Sequence, residues 1–361
     1  MKTAYAALAV MLCGTLLAGA LHADRITYIN RAAGKVSIDN LGDVTVTGWN
    51  AKEVSYTTAD KKTGTVARRL IVSLTRETSS SAALTEAASL IGANPEEAAK
   101  QLASLTGTGS ALDKEEAQYL LAMLWVKEMA GDAALGTNAS RELAKYLQTY
   151  KAGYFAAQVY QEQAYMQRAS KKNDDARRTY QAMIAADTSL ARQGNQWLGE
   201  LEAELGRWKE AIAAFAGAKT AATRDGDKNG EYLAMAWDGW CQLMNNNAAG
   251  ARTTLEAVTG DDKFDDPASG DDEVALSVAY PALGDAYFEG GNFQKAYDAY
   301  IKGAYYAWWT SGSREGHCLG QAFLCAKKLE STDEKWKKRR ESLRTVLAMG
   351  YPRELQRVEA K

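Results

Sequence analysis

Two periodicities divide the chain. From Asp24 to about Glu77 apolar and polar residues alternate with period two, in ITYI, KVSI, DVTVTGW, EVSYTT and RRLIVSL. β-Branched residues dominate these runs. Gly34, Asn40-Leu41-Gly42 and Lys61-Lys62-Thr63-Gly64 interrupt them, so the pattern predicts four or five short strands. A segment of roughly 55 residues suffices for a small, strongly bent antiparallel sheet or barrel. The run Thr78-Ser79-Ser80-Ser81 then reads as a linker, after which apolar residues recur with helical spacing. Asn94-Pro95-Glu96-Glu97 supplies a cap, an N1 proline and an N3 glutamate, and Asp113 with Glu116 has the spacing of a capping box. Short polar turns separate helical stretches from there to the C-terminus.

The helical part repeats itself. In SVAYPALGDAYFEGGNFQKAYDAYIKGAYYAW, Tyr280, Leu283, Gly284, Tyr287, Ala296 and Tyr300 recur at fixed offsets, with Phe293 opening the second helix and Gly303 inside it. The frame returns upstream as Leu198, Gly199, Trp208, Ala211, Phe215 and Ala218. It returns again as Tyr160, Ala164, Ala176 and Tyr180, and as Gly239, Ala251, Leu255 and Val258. Gly284 would let two helices approach closely, and Ala296 would fit beneath a neighbouring helix. These offsets resemble those of tetratricopeptide repeats over most of 113–348. The segment 24–77 resembles, by pattern, the small Sm-like or SH3-like barrels that open many exported bacterial repeat proteins.

The resulting expectation is a mainly α-helical protein, a helical-hairpin solenoid preceded by a small antiparallel β-barrel-like domain. Its boundaries are 1–23 for a signal peptide, 24–77 for the β-domain, 78–112 for a linker and leading helices, 113–348 for the repeats and 349–361 for a tail.

The leader carries Lys2 and an apolar run from Ala4 to Leu21, with cleavage sites after Ala20 or Ala23; an uncleaved anchor is the competing reading. Its removal takes Lys2 away and leaves 42 basic against 45 acidic residues, which is no footprint for nucleic acid. With cleavage the protein has no membrane span and lies in the periplasm or on the cell surface of a bacterium. Within 24–77 the balance is nine basic to six acidic, with Lys61, Lys62, Arg68 and Arg69 close in sequence, which reads as a solvated hairpin and leaves an anionic envelope polymer open as a partner. Cys318 and Cys325, seven residues apart, would lie about 10 Å apart on one helix, too far for a disulfide, so buried free thiols are expected.

Little of the chain points to catalysis. No HExxH, GxSxG, phosphate loop or CxxC occurs, and His317 beside Cys318 would point about 100° away from it on a helix. No cofactor and no enzymatic activity are expected. The stretch Asp225-Gly226-Asp227-Lys228-Asn229-Gly230 begins like a calcium loop. Ala236 stands where the bidentate glutamate should be, so a tight polar turn is the reading, with weak binding left open. The acidic stretch Asp261–Glu273 reads as a flexible, solvated insertion.

The repeat resemblance implies a scaffold or adaptor for protein–protein interactions in the cell envelope, binding a protein or peptide in its concave groove. It places the contacts on the first helix of each hairpin: Gln158, Gln161, Tyr165, Arg168, Gln193, Gln196, Glu200, Trp240, Asp285 and Phe288. The lysine and asparagine set that clamps a peptide carboxylate in chaperone-binding members is absent. The alternative is a module for an envelope polymer or glycan, anchored by the basic β-domain.

Overall fold

A computed structural model describes residues 23–30, 37–77, 80–260, 272–307 and 312–360. Residues 1–22 of the expected leader, the linker residues Thr78 and Ser79 and residues 261–271 of the acidic stretch lie outside the described residues.

Five antiparallel strands form one sheet: β1 (Asp24–Asn30), β2 (Ser37–Trp49), β3 (Glu53–Thr58), β4 (Thr63–Ala67) and β5 (Ile71–Thr75), in the order β4-β3-β2-β1-β5. The turn expected at Asn40-Leu41-Gly42 does not break the chain; β2 runs through it. Its first half pairs with β1 and its second half with β3, so each half finds a different partner. Asp43, in the left-handed region at φ 55°, and a bulge between Val46 and Gly48 bend the strand between those duties. A 3-10 turn, Arg68–Leu70, carries the chain from β4 to β5. Those strands are opposite edges of the sheet. Five strands laid flat would separate them by about 19 Å, beyond the reach of three compact residues, so the sheet must curl. That makes it barrel-like.

The inward positions of the sheet, Ile26, Val44, Val46, Val54 and Val66, are buried together, and Tyr154 from the helical region completes their core. The linker read at Thr78–Ser81 therefore joins two regions that share a core. The amide of Ala51 donates to the carbonyl of Ala152 at 3.0 Å, and Trp49 stacks on Tyr154 with ring centroids 5.2 Å apart.

Fifteen helices follow among the described residues. The leading pair is α1 (Ala82–Ser89) and α2 (Pro95–Thr108); Asn94 caps α2 with Pro95 at N1. Hairpins then pack in sequence: α3 (Ala111–Met129) with α4 (Gly136–Thr149), α5 (Ala156–Ala169) with α6 (Asn173–Ala186), and α7 (Ala191–Glu204) with α8 (Trp208–Arg224). After them come α9 (Lys228–Met244) with α10 (Ala248–Thr259), α11 (Asp272–Glu289) with α12 (Phe293–Ala307), and α13 (Gly312–Leu329) with α14 (Glu334–Gly350). Asp113 is not a cap. Ser110 caps α3 by accepting from the Asp113 amide at 3.2 Å, and the Asp113 and Glu116 carboxylates are drawn to Arg76 instead.

In three of the hairpins, α7–α8, α9–α10 and α11–α12, the close approach is visible. A Cβ added to Gly199, Gly239 or Gly284 would lie 2.6–2.7 Å from the side chain of Phe215, Leu255 or Tyr300 respectively, sixteen residues on in every case. Ala176, Ala211, Ala251 and Ala296 are fully buried. Residues 349–361, expected as a tail, contain one more helix, α15 (Pro352–Glu359), with Pro352 at N1. It docks on α13, where Gly316 meets Tyr351 and Gly320 meets Glu354. Cys241, Cys318 and Cys325 are buried free thiols. No helix among the described residues is long and apolar enough to cross a membrane.

Candidate functional site

The sheet meets the solenoid through a buried polar cluster. The side chain of Arg76, just past β5, is 2% exposed and bonds Asp113 at 3.0 Å and Glu116 at 2.5 Å while lying over the Trp49 ring. Beside it the indole N–H of Trp49 and the hydroxyl of Tyr146 donate to the two oxygens of Glu115. Burial pushes the Glu115 and Glu116 carboxyls above their usual values, and for Glu116 Arg76 partly offsets it. Against the opposing effect of burial, hydrogen bonds from Ser110 and Arg76 hold Asp113 below its usual value.

This junction fixes the 3-10 turn Arg68–Leu70 opposite α5, α7 and the turn before α9. Between them opens a cleft of about 390 Å³, lined by Arg68 and Arg69 from the sheet side, by Gln158 and Gln161 of α5, by Arg192 and Gln193 of α7, and by others. The Arg68 guanidinium lies 4.2 Å above the Tyr154 ring. With the Gln158 amide oriented by its hydrogen bonds, its oxygen accepts from Arg68 Nη2 at 2.9 Å and its nitrogen donates to the Phe155 carbonyl at 3.2 Å. Arg68 Nε is buried without an acceptor.

Three of the ten residues expected to contact a partner, Gln158, Gln161 and Gln193, therefore share one cleft. The others are placed differently. Tyr165 is exposed on α5, and Arg168 pairs with Glu204. Gln196 is buried and donates to Glu200 at 2.8 Å; burial raises the Glu200 carboxyl. Trp240 packs edge-to-face on Trp208 and Trp237. Asp285 and Phe288 line a second cleft of about 620 Å³ with Met244, Gln321 and Lys327, where Asp285 accepts from the Tyr300 hydroxyl at 2.6 Å.

The basic residues of the sheet do not form one patch. Lys61 and Lys62 sit at the exposed β3–β4 turn, where Lys62 pairs with Asp60 at 2.7 Å. The five residues of β4, about 16 Å of strand, separate them from Arg68 and Arg69. At the calcium-like stretch, Asp227 caps α9 by accepting from the Gly230 amide at 3.0 Å and pairs with Arg192 at 3.0 Å, while Asp225 pairs with Arg224. No metal-sized group of His, Cys, Asp and Glu occurs among the described residues. Sequence reasoning missed Arg76, Glu115 and Trp197, the last of which also lines the cleft; nothing local in the sequence distinguishes them from solvated or core positions.

Stacked helical hairpins, three of them with a glycine at the close crossing, define a tetratricopeptide-repeat fold, here preceded by a five-stranded antiparallel sheet. No family model matches the sequence, and no curated protein does. Among solved structures, a signal-transduction ATPase from Pyrococcus horikoshii with a tetratricopeptide-repeat sensor superposes at a TM-score of 0.50 with 16% identity, covering 74% of this chain and 40% of that one. The type IV pilus biogenesis factor PilW aligns at 0.47 with 16% identity, over 68% of this chain and 97% of its own. PilF of Pseudomonas aeruginosa aligns at 0.44 with 16% identity, over 66% and 96%. The likeness is one of fold.

Proposed function

We propose that this protein is an exported scaffold of the cell envelope that holds an extended segment of a partner protein in the cleft between its sheet and α5–α7. The observation that carries this reading is the convergence of Gln158, Gln161 and Gln193 with the 3-10 turn of the sheet on one cleft. Stacked hairpins present such surfaces to peptides and protein segments. The side-chain amides of Gln161 and Gln193 have no hydrogen-bond partner among the described residues, which leaves them available to a main chain. The leader-like N-terminus supports export. The work of the protein is binding rather than catalysis.

A photo-crosslinking residue at Gln161 of the full chain in intact cells tests this, with a second at Lys209, exposed on α8, as the control. The expected result is one defined protein captured from position 161 and not from 209. Equal capture from both positions, or none from 161, overturns the reading.

A further inference from the structure

The charges around the cleft do not balance. Arg192 is held by Asp227 and Asp225 by Arg224, so those pairs cancel locally. Arg68 and Arg69 have no carboxylate partner among the described residues. The Arg68 guanidinium is held at the wall of the cleft, against the Tyr154 ring and hydrogen-bonded to Gln158. Its Nε remains a buried donor with nothing to accept from it. A buried N–H of a charged group without an acceptor is costly, and a guanidinium fork matches a carboxylate with two parallel bonds. Arg69, next in the 3-10 turn, is exposed and lines the same cleft.

Resting on the scaffold reading above, we infer that the cleft selects an acidic segment of its partner protein, with Arg68 and Arg69 taking its carboxylates and Gln161 and Gln193 bonding its main chain. The anion-holding groups come from the sheet, not from the repeats. A solenoid fragment without the sheet would keep the glutamines and lose the selectivity. The choice of a peptide over an anionic glycan rests on the two amides, which pair naturally with alternating main-chain N–H and C=O groups. It rests also on the separation of Lys61 and Lys62 from the arginines, which denies a polymer a continuous basic track.

Selection of a random-peptide display library on the full chain, followed by anisotropy with the recovered peptides, tests this. The expected result is enrichment in Asp and Glu. Binding should weaken by about tenfold or more when glutamine replaces the acids, in Arg69→Glu, and at high salt. Lys62→Ala, far from the cleft, should bind as the parent does. Arg68→Gln serves as a second variant, read only alongside an unchanged melting curve because Arg68 also packs on Tyr154. Peptides that crosslink at Gln161 but carry no acidic bias, or that bind Arg69→Glu equally, overturn the inference and leave the scaffold standing. Polygalacturonate displacing the acidic peptides with higher affinity assigns the arginines to a polymer and overturns it too. Recovery of no peptide at the cleft removes the scaffold reading itself.

Discussion

Trp49 in β2 donates its indole N–H to Glu115 in α3 at 2.8 Å, across 66 residues of sequence. The same carboxylate takes the Tyr146 hydroxyl at 2.7 Å, so one buried acid holds donors from the sheet and from α4. Glu115→Ala would leave both donors buried without an acceptor, at about 1–3 kcal/mol for each group. The expected outcome is a large fall in melting temperature, shared by the near-UV aromatic signal and the far-UV helical signal. Two separated transitions, with only the sheet affected, would show that the junction is not cooperative.

The same residue gives the junction a pH dependence. Burial raises the Glu115 carboxyl above its usual 4.5, so over that window the folded chain keeps a proton the unfolded chain has lost. Stability from this group is complete below the unfolded value and is lost as pH rises through the folded one. The parent should therefore lose stability with rising pH more steeply than Glu115→Gln, starting from about pH 4.5. Parallel melting-temperature profiles for the two proteins would contradict this.

Gly284 leaves little room for even a methyl group. An added Cβ would lie 2.6 Å from the Tyr300 ring, which is fully buried and anchored through its hydroxyl to Asp285. Overpacking of this kind costs about 1–3 kcal/mol, against about 1 kcal/mol gained from helix propensity. Gly284→Ala is expected to be neutral to destabilising and Gly284→Leu clearly destabilising in denaturant titrations. A Leu variant as stable as the parent would refute the close crossing.

At the turn before α9, micromolar calcium should leave the melting temperature unchanged, because Asp225 and Asp227 already have guanidinium partners. Asp227→Ala removes a helix cap and is expected to cost about 1 kcal/mol. A calcium-dependent shift of several degrees, abolished by that substitution, would restore the metal reading.

The thiols of Cys241, Cys318 and Cys325 are buried, and burial pushes each up to about 12. They should resist a disulfide reagent at pH 8 in the native protein and react once it is unfolded. Rapid labelling of the native protein would place at least one of them at the surface.

The repeats were readable because each close crossing is local: Gly284 and Tyr300, or Gly199 and Phe215, are sixteen residues apart and recur at that offset. The strands were readable from alternation, apart from the bend within β2, which depends on which neighbour each half pairs with. The cleft was not. Gln158 stood out as a surface polar residue of a first helix, yet its neighbour Arg68 lies ninety positions earlier, and periodicity carries no information about such pairs. Arg76 likewise counts in the sequence only toward the basic balance of 24–77. Its two carboxylates read more naturally as a capping box, because sequence spacing sees the helix start and not the sheet above it.

The insertion of Tyr154 into the core of the sheet has a consequence in time. The strands are complete by residue 75, but the side chain that closes their core emerges some eighty residues later. At about 5–20 residues per second that is a delay of roughly 4–16 s, during which the sheet has an unfilled interior and unsatisfied edges. The sheet is thus made well before it can lock, and it stays open until the chain between α4 and α5 has been synthesised. Chains ending at residue 140 should leave the strands open to protease, and chains ending at residue 190 should protect them.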